Sequence, residues 1–168
     1  MGMIGEYARV SPEELERALE DPQRGQELFS RLSAAAYPRG QEGPDKERAL
    51  DVDKAWHGIW YLLREAGGGP VDVVGGGSPV SDVDQGYGPA RYLTAEEVRA
   101  GAAHLEATAW ESLADHFDPV MMDSADIYPS IWDRGDEAID YLRANYKSLV
   151  GFFAAAASAG DAVILWIG

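Results

Sequence analysis

Residues 160–168 read GDAVILWIG, and the six from Ala162 to Ile167 decide the fold. They are apolar at odd and even positions alike. Successive side chains of a strand point to opposite faces, so a run apolar in both sets has both faces covered and belongs inside a sheet. Gly160-Asp161 supplies the turn that leads into it. Upstream, residues 135–157 form the longest helix expectation. Ala138, Tyr141, Leu142, Asn145, Leu149, Phe152, Phe153 and Ala156 recur at spacings of three and four, which makes one buried face. At the other end of the chain, residues 2–10, GMIGEYARV, read as a strand ahead of a helix start. The first and last segments therefore share one sheet. The expected fold class is α+β, a helix-rich single domain with a small mixed sheet formed by the N-terminal and C-terminal strands. Such a sheet ties down both termini.

The helices between them announce themselves by their caps. Ser11-Pro12-Glu13-Glu14 places a capping hydroxyl, an N1 proline and an acid three residues after the cap. Leu15, Ala18 and Leu19 follow as its apolar stripe. Pro22 ends that helix or begins the next, which carries Leu28, Phe29 and Leu32 to about Ala35. Residues 37–48 hold two prolines and two glycines and read as a surface loop. The third helix spans roughly 52–65. After it come two glycine triplets flanking Val71-Asp-Val-Val74, either a short edge strand or an anchored loop, and an extended piece at 90–93. Thr94-Ala-Glu-Glu97 is a second capping box; Thr108-Ala-Trp-Glu111 repeats the pattern and predicts a break near Ala107 and a helix to His116. Asp118-Pro119 caps a further helix, and Ile127-Tyr-Pro is a turn or extended link.

Composition narrows the function classes. The 168 residues hold 29 Asp and Glu against 14 Lys and Arg, a formal charge of −15. Residues 1–93 carry 16 acids and 10 bases, net −6, and residues 94–168 carry 13 acids and 4 bases, net −9. A field of this sign repels phosphate backbones and anionic lipid, so nucleic acid and membrane are excluded as partners. A basic protein, a cationic ligand or a metal ion suits it, and the partner expected is a basic protein or a small-molecule ligand. The absence of cysteine removes disulfides, thiol catalysis and thiolate metal sites. The start of the chain lacks a basic segment followed by a long apolar stretch, so a soluble cytoplasmic protein is expected.

The densest chemistry is LDVDKAWHGIWYLL, residues 50–63. At 100° per residue Val52, Trp56, Ile59 and Leu63 share a core face, and Asp53, His57, Trp60 and Arg64 form its border. Two accounts fit the border. In one, Asp53 caps the helix, His57 pairs with it four residues on, and Trp60 packs. In the other, the border lines a cleft, and the Asp53–His57 pair acts as a general base or ligand holder. As metal ligands, Asp51, Asp53 and His57 number at most three with no second histidine at ligand spacing, so no metal or cofactor is expected. Gly75-Gly-Gly-Ser78 lacks the lysine of a phosphate loop and is surrounded by Asp72, Asp82 and Asp84. No G-x-S-x-G or EF-hand pattern is present. Two turns rich in aromatics, Gly86–Arg91 and Ile127–Trp132, add Tyr87, Arg91, Tyr128 and Trp132 as binding candidates. For Arg91 the alternatives are a structural carboxylate pair and a bidentate anchor for a ligand carboxylate.

Five co-linear stretches, MGMIGEY, LDVDKAWHGIWYLL, GYGPARYLTAEEV, IYPSIWD and FFAAAASAGDAVILWIG, resemble the YfbM-like family, a bacterial domain of unknown function. The similarity runs over nearly the whole chain. It implies a single cytoplasmic α+β domain and brings no activity, cofactor or catalytic residue. Two functional expectations follow. The first is an acidic, non-catalytic binding or interaction domain, a monomer or weak homodimer, that neutralises a basic protein partner in the manner of an immunity protein; it rests on the charge and on the tryptophans and tyrosines that serve as recognition anchors. The second is a small-molecule enzyme of hydrolytic or acid–base type, with Asp53 and His57 as the pair and Trp60, Tyr87 and Arg91 around it, joined by Tyr128 or Trp132; Arg64 is a further binding candidate.

Overall fold

In the computed structural model, which describes residues 2–36 and 46–168, the terminal segments meet in one sheet. Strand β1 (Gly5–Val10) pairs antiparallel with β5 (Ala162–Ile167) along its whole length, from Gly5 opposite Ile167 to Val10 opposite Ala162. Strand β2 (Ala49–Asp51) extends the sheet beyond β1, and β4 (Pro89–Leu93) and β3 (Ser78–Asp84) extend it beyond β5, in the order β2-β1-β5-β4-β3. Every pair is antiparallel, so the sheet is not mixed. The expected mixed sheet is not formed because β3 and β4 are joined by a tight hairpin, which permits only antiparallel pairing, and β5 runs antiparallel to both of its neighbours.

The two-sided apolar character of β5 is explained by two helical layers. On one face, Ala162, Ile164 and Trp166 join Ala8, Val10 and Ala90 against α1 (Pro12–Glu20) and α2 (Pro22–Ala36). On the other, Val163 and Leu165 join Tyr7 and Leu93 against α3 (Trp56–Glu65), α4 (Ala95–Ala107), α5 (Trp110–Ala114) and α7 (Asp136–Ala159). A short helix, α6 (Pro119–Ser124), precedes the link to α7. Tyr7 is the hinge of the larger core, its ring 6.0 Å from both Phe152 and Phe153.

Local signals at helix starts hold where the hydroxyl or carboxylate is free to turn inward. Ser11 and Thr94 form complete capping boxes with Glu14 and Glu97, and Asp118 accepts from the Val120 and Met121 amides. Thr108 does not repeat the motif. Its hydroxyl donates to the His104 carbonyl at 2.7 Å, so it closes α4 instead of opening α5. On α7 the buried tyrosine is Tyr146, whose hydroxyl donates to the Leu105 and Thr108 carbonyls, while Tyr141 and Asn145 are only half-buried. Val71–Val74 is an anchored loop: Val73 and Val74 are buried, and the strand lies later, at Ser78–Asp84. Of the loop expected at 37–48, residues 37–45 lie outside the described residues, and 46–48 form a 3-10 turn.

α3 approaches α7 closely at Gly58. A methyl group there would stand 2.7 Å from both Leu142 Cδ2 and Trp132 Cη2, so the glycine lets two fully buried side chains lie on the helix backbone. Trp132 is in turn fixed by donating to the Ile127 carbonyl at 2.7 Å.

One buried polar side chain interrupts the sheet. Glu6, 5% exposed, sits opposite Asp51 on β2 and Trp166 on β5. Burial pushes its pKa up to about 7; the hydrogen bond from the Trp166 indole works against this, and the Asp51 carboxylate adds to it. The folded state therefore favours the neutral acid, whereas the unfolded chain ionises near its ordinary value of 4.5. Stability from this group is fully present below about pH 4.5 and is lost as pH rises through about 7. Urea unfolding across this range should show that decline, and Glu6→Gln should flatten it, gaining on the order of 2 kcal/mol above pH 8. An unchanged slope in the variant would assign the pH dependence elsewhere.

Candidate functional site

The polar border of the third helix becomes a ladder. Trp56 and His57 stack at 4.7 Å with ring planes 10° apart, the His57 and Trp60 rings lie 5.4 Å apart, and the Arg64 guanidinium stands 4.5 Å from the Trp60 ring. The expected Asp53–His57 pair is absent. An i,i+4 contact requires helical backbone between the two residues, but Asp53 has a left-handed φ of 49° in a 3-10 turn, and the α-helix begins only at Trp56. Asp53 does not cap the helix either. Its amide donates to Asp51 Oδ1 at 2.6 Å, and its carboxylate accepts from the Tyr141 hydroxyl at 2.8 Å. His57 Nδ1 accepts instead from the Tyr128 amide at 3.0 Å, which leaves the ring proton on Nε2. Burial holds the His57 pKa below 6.5.

Two clefts flank this helix. The first, about 450 Å³, lies between the 3-10 turn of residues 53–55, the link Tyr128–Ile131 and the start of α7. Asp53, Lys54, Arg134, Glu137, Tyr128 and Tyr141 line it. Burial, then the hydrogen bond to Asp53, raise the pKa of the Tyr141 phenol, so it stays a neutral donor. The Tyr128 hydroxyl accepts from the Met3 amide at 3.3 Å, which joins the start of the chain to the cleft wall.

The second cleft, about 240 Å³, holds Trp60, Arg64, Asp72 and His104. The Trp60 indole donates to Asp72 Oδ2 at 3.2 Å, while Asp72 Oδ1 accepts from the Val74 and Gly75 amides. Gly69 lies flat against His104, where a methyl group would be 2.3 Å from Cδ2. The glycine-rich segment is thus a folded wall held by Asp72 and not a phosphate cradle.

The other expected site residues do not converge here. Among the described residues Arg91 has no carboxylate partner, and its guanidinium is engaged: it donates to the Gly76 carbonyl at 3.1 Å and the Gly77 carbonyl at 2.6 Å, fastening the loop to β4. Tyr87 stands exposed at the tip of the β3–β4 hairpin. Trp132 is fully buried and is a core residue, not a recognition anchor. Among the described residues no three His, Asp or Glu side chains are placed to hold a metal ion; Asp51, Asp53 and His57 are not gathered into one site.

A third feature escaped the reading of the sequence. Between Arg99 and Arg134 there is no lysine or arginine, while Glu106, Glu111, Asp115, Asp118, Asp123, Asp126 and Asp133 supply seven acids. In the middle of this run α6 turns Met122 into the core and leaves Val120 73% and Met121 55% exposed. Tyr61 of α3 stands beside this helix; burial, followed by the Glu65 and Asp118 carboxylates, raises the pKa of its phenol. The signal was present as two adjacent apolar residues in a helix too short to bury both.

The family model for a domain of unknown function, DUF1877, matches residues 1–166, and the chain belongs to that family. The crystal structure of YfbM from Escherichia coli, a protein of unknown function, superposes with a TM-score of 0.70 at 19% identity, covering 99% of this chain and 100% of that one. That likeness establishes the α+β fold. No protein of curated description matches the chain. No helix among the described residues is long and apolar enough to cross a membrane.

The His57 geometry has a direct readout. Its imidazole should titrate below pH 6.5 and carry its neutral proton on Nε2, seen in nitrogen-15 spectra. Because its folded pKa is depressed, its contribution to stability is present above about 6.5 and declines as pH falls below that value. A midpoint above 6.5 that drops in Asp53→Asn would instead establish an ion pair between the two residues.

Proposed function

We propose that this DUF1877 domain is a non-catalytic acidic interaction module whose α5–α6 face binds a basic protein partner. The observation that carries this reading is the exposed Val120–Met121 pair set among Asp115, Asp118, Asp123 and Asp126, in a stretch without lysine or arginine. Interfaces of this kind divide the work: buried apolar and aromatic side chains provide affinity, while charges at the rim steer the encounter and reject partners of like sign. Methionine suits such a surface because its flexible thioether adapts to the partner. Neutralisation of a basic protein, as by an immunity protein, is the form of interaction that the overall charge of −15 favours.

An acid–base enzyme built on Asp53 and His57 draws less support. The two side chains have separate partners, and His57 Nδ1, the atom that would act as base, is occupied by a backbone amide.

Affinity capture from the native host at low salt should return a positively charged protein in stoichiometric amount. Val120→Ser combined with Met121→Ser should weaken that complex at least about ten-fold, mainly through faster dissociation. Asp115→Asn with Asp123→Asn should slow association and reduce its salt dependence. Repeated failure to capture a basic protein, or a complex indifferent to both pairs of substitutions, would overturn the proposal.

A further inference from the structure

The first cleft brings fixed charges of both signs together at one place. In a chain of net charge −15, its walls carry Lys54 and Arg134 opposite Asp53 and Glu137, two of each sign. These groups leave one another incompletely used. Among the described residues Lys54 makes no ion pair, although its half-buried side chain is held over Gly2 beside the Tyr128 hydroxyl. Arg134 and Glu137 approach only to 3.9 Å, and both are more than half exposed. Asp53 receives the Tyr141 hydroxyl on Oδ2, and its Oδ1 has no hydrogen-bond partner among the described residues. The cleft thus offers an ammonium and a guanidinium to an anion, and carboxylate oxygens to a cation.

We propose that this cleft binds a small molecule carrying both a carboxylate and an ammonium group, of the amino-acid class. Its volume of about 450 Å³ falls within the range of small-molecule sites. A purely anionic ligand would face Asp53 and Glu137, and a purely cationic one would face Lys54 and Arg134; a ligand with both charges gives each pair a partner of opposite sign. The walls are pre-ordered, which lowers the entropic cost of binding. Asp53 is pinned by Asp51 and Tyr141, Tyr128 by Met3 and His57, and Tyr141 stands on the longest helix. Pro129 and Ile131, both half-buried, provide apolar surface for a side chain.

Thermal-shift and NMR titrations with each of the proteinogenic amino acids test this, with succinate as the anion-only probe and putrescine as the cation-only probe. At least one amino acid should raise the melting temperature saturably and move the Ile131 methyl signals. Lys54→Met and Asp53→Asn should each weaken its binding at least about ten-fold. Both keep the fold, since methionine retains the aliphatic stem and asparagine tolerates the left-handed backbone at residue 53. Val120→Ser with Met121→Ser should leave it unchanged, which separates this site from the protein-binding face. The proposal is overturned if no amino acid binds, if succinate or putrescine binds as tightly, or if binding survives in both cleft variants.

Discussion

The structure depends on a strand that has no polar face. Ala162 to Trp166 are all buried, and their side chains alternate between two separate cores. A strand of this kind can be solvated on neither side, so it requires a neighbour at each edge and a helical layer over each face. β1 and β4 supply the edges; α1 and α2 cover one face, and α3, α4, α5 and α7 the other. Burial of one large apolar side chain stabilises by roughly 1.5–3 kcal/mol, so displacing either layer would expose several such groups on β5 at once.

The functional features are consequences of how the larger layer is assembled. α3 must lie close to α7, and Gly58 permits it by letting Trp132 and Leu142 press against its backbone. With Trp132 committed to that contact, the link before it passes over the end of α3, where the Tyr128 amide takes the imidazole nitrogen of His57. The same packing opens the first cleft between the 3-10 turn and α7. α6 turns only Met122 inside and leaves the neighbouring Val120 and Met121 in solvent. Core packing, more than any motif, therefore sets where ligand and partner can bind.

Much of the architecture was legible in the sequence because its signals are local or periodic. The double-sided run at 162–167, the capping boxes at Ser11 and Thr94, and the N1 proline after Asp118 each state their own structure. What was not legible depends on distant partners. Thr108 satisfies a capping pattern as well as Thr94 does, yet the His104 carbonyl takes its hydroxyl. Asp53 and His57 are correctly spaced for a helical pair, but the left-handed turn at Asp53 breaks the helical phase. Arg91 gives no hint that its partners are the carbonyls of Gly76 and Gly77. The strand at Ser78–Asp84 lacks an apolar alternation, because it is an exposed edge whose register shifts between Pro79 and Asp84. The candidate site was legible as a region, the border of α3, and not as a set of contacts.

If β5 is the element on which both layers close, its amides open only when the whole domain does. Native-state hydrogen exchange measures this residue by residue. The amides of Val163 to Leu165, with those of β1 opposite them, should exchange with the free energy of global unfolding, while the β3–β4 hairpin, at the open edge of the sheet, should exchange earlier. Exchange of β5 together with that hairpin, or ahead of it, would contradict the account.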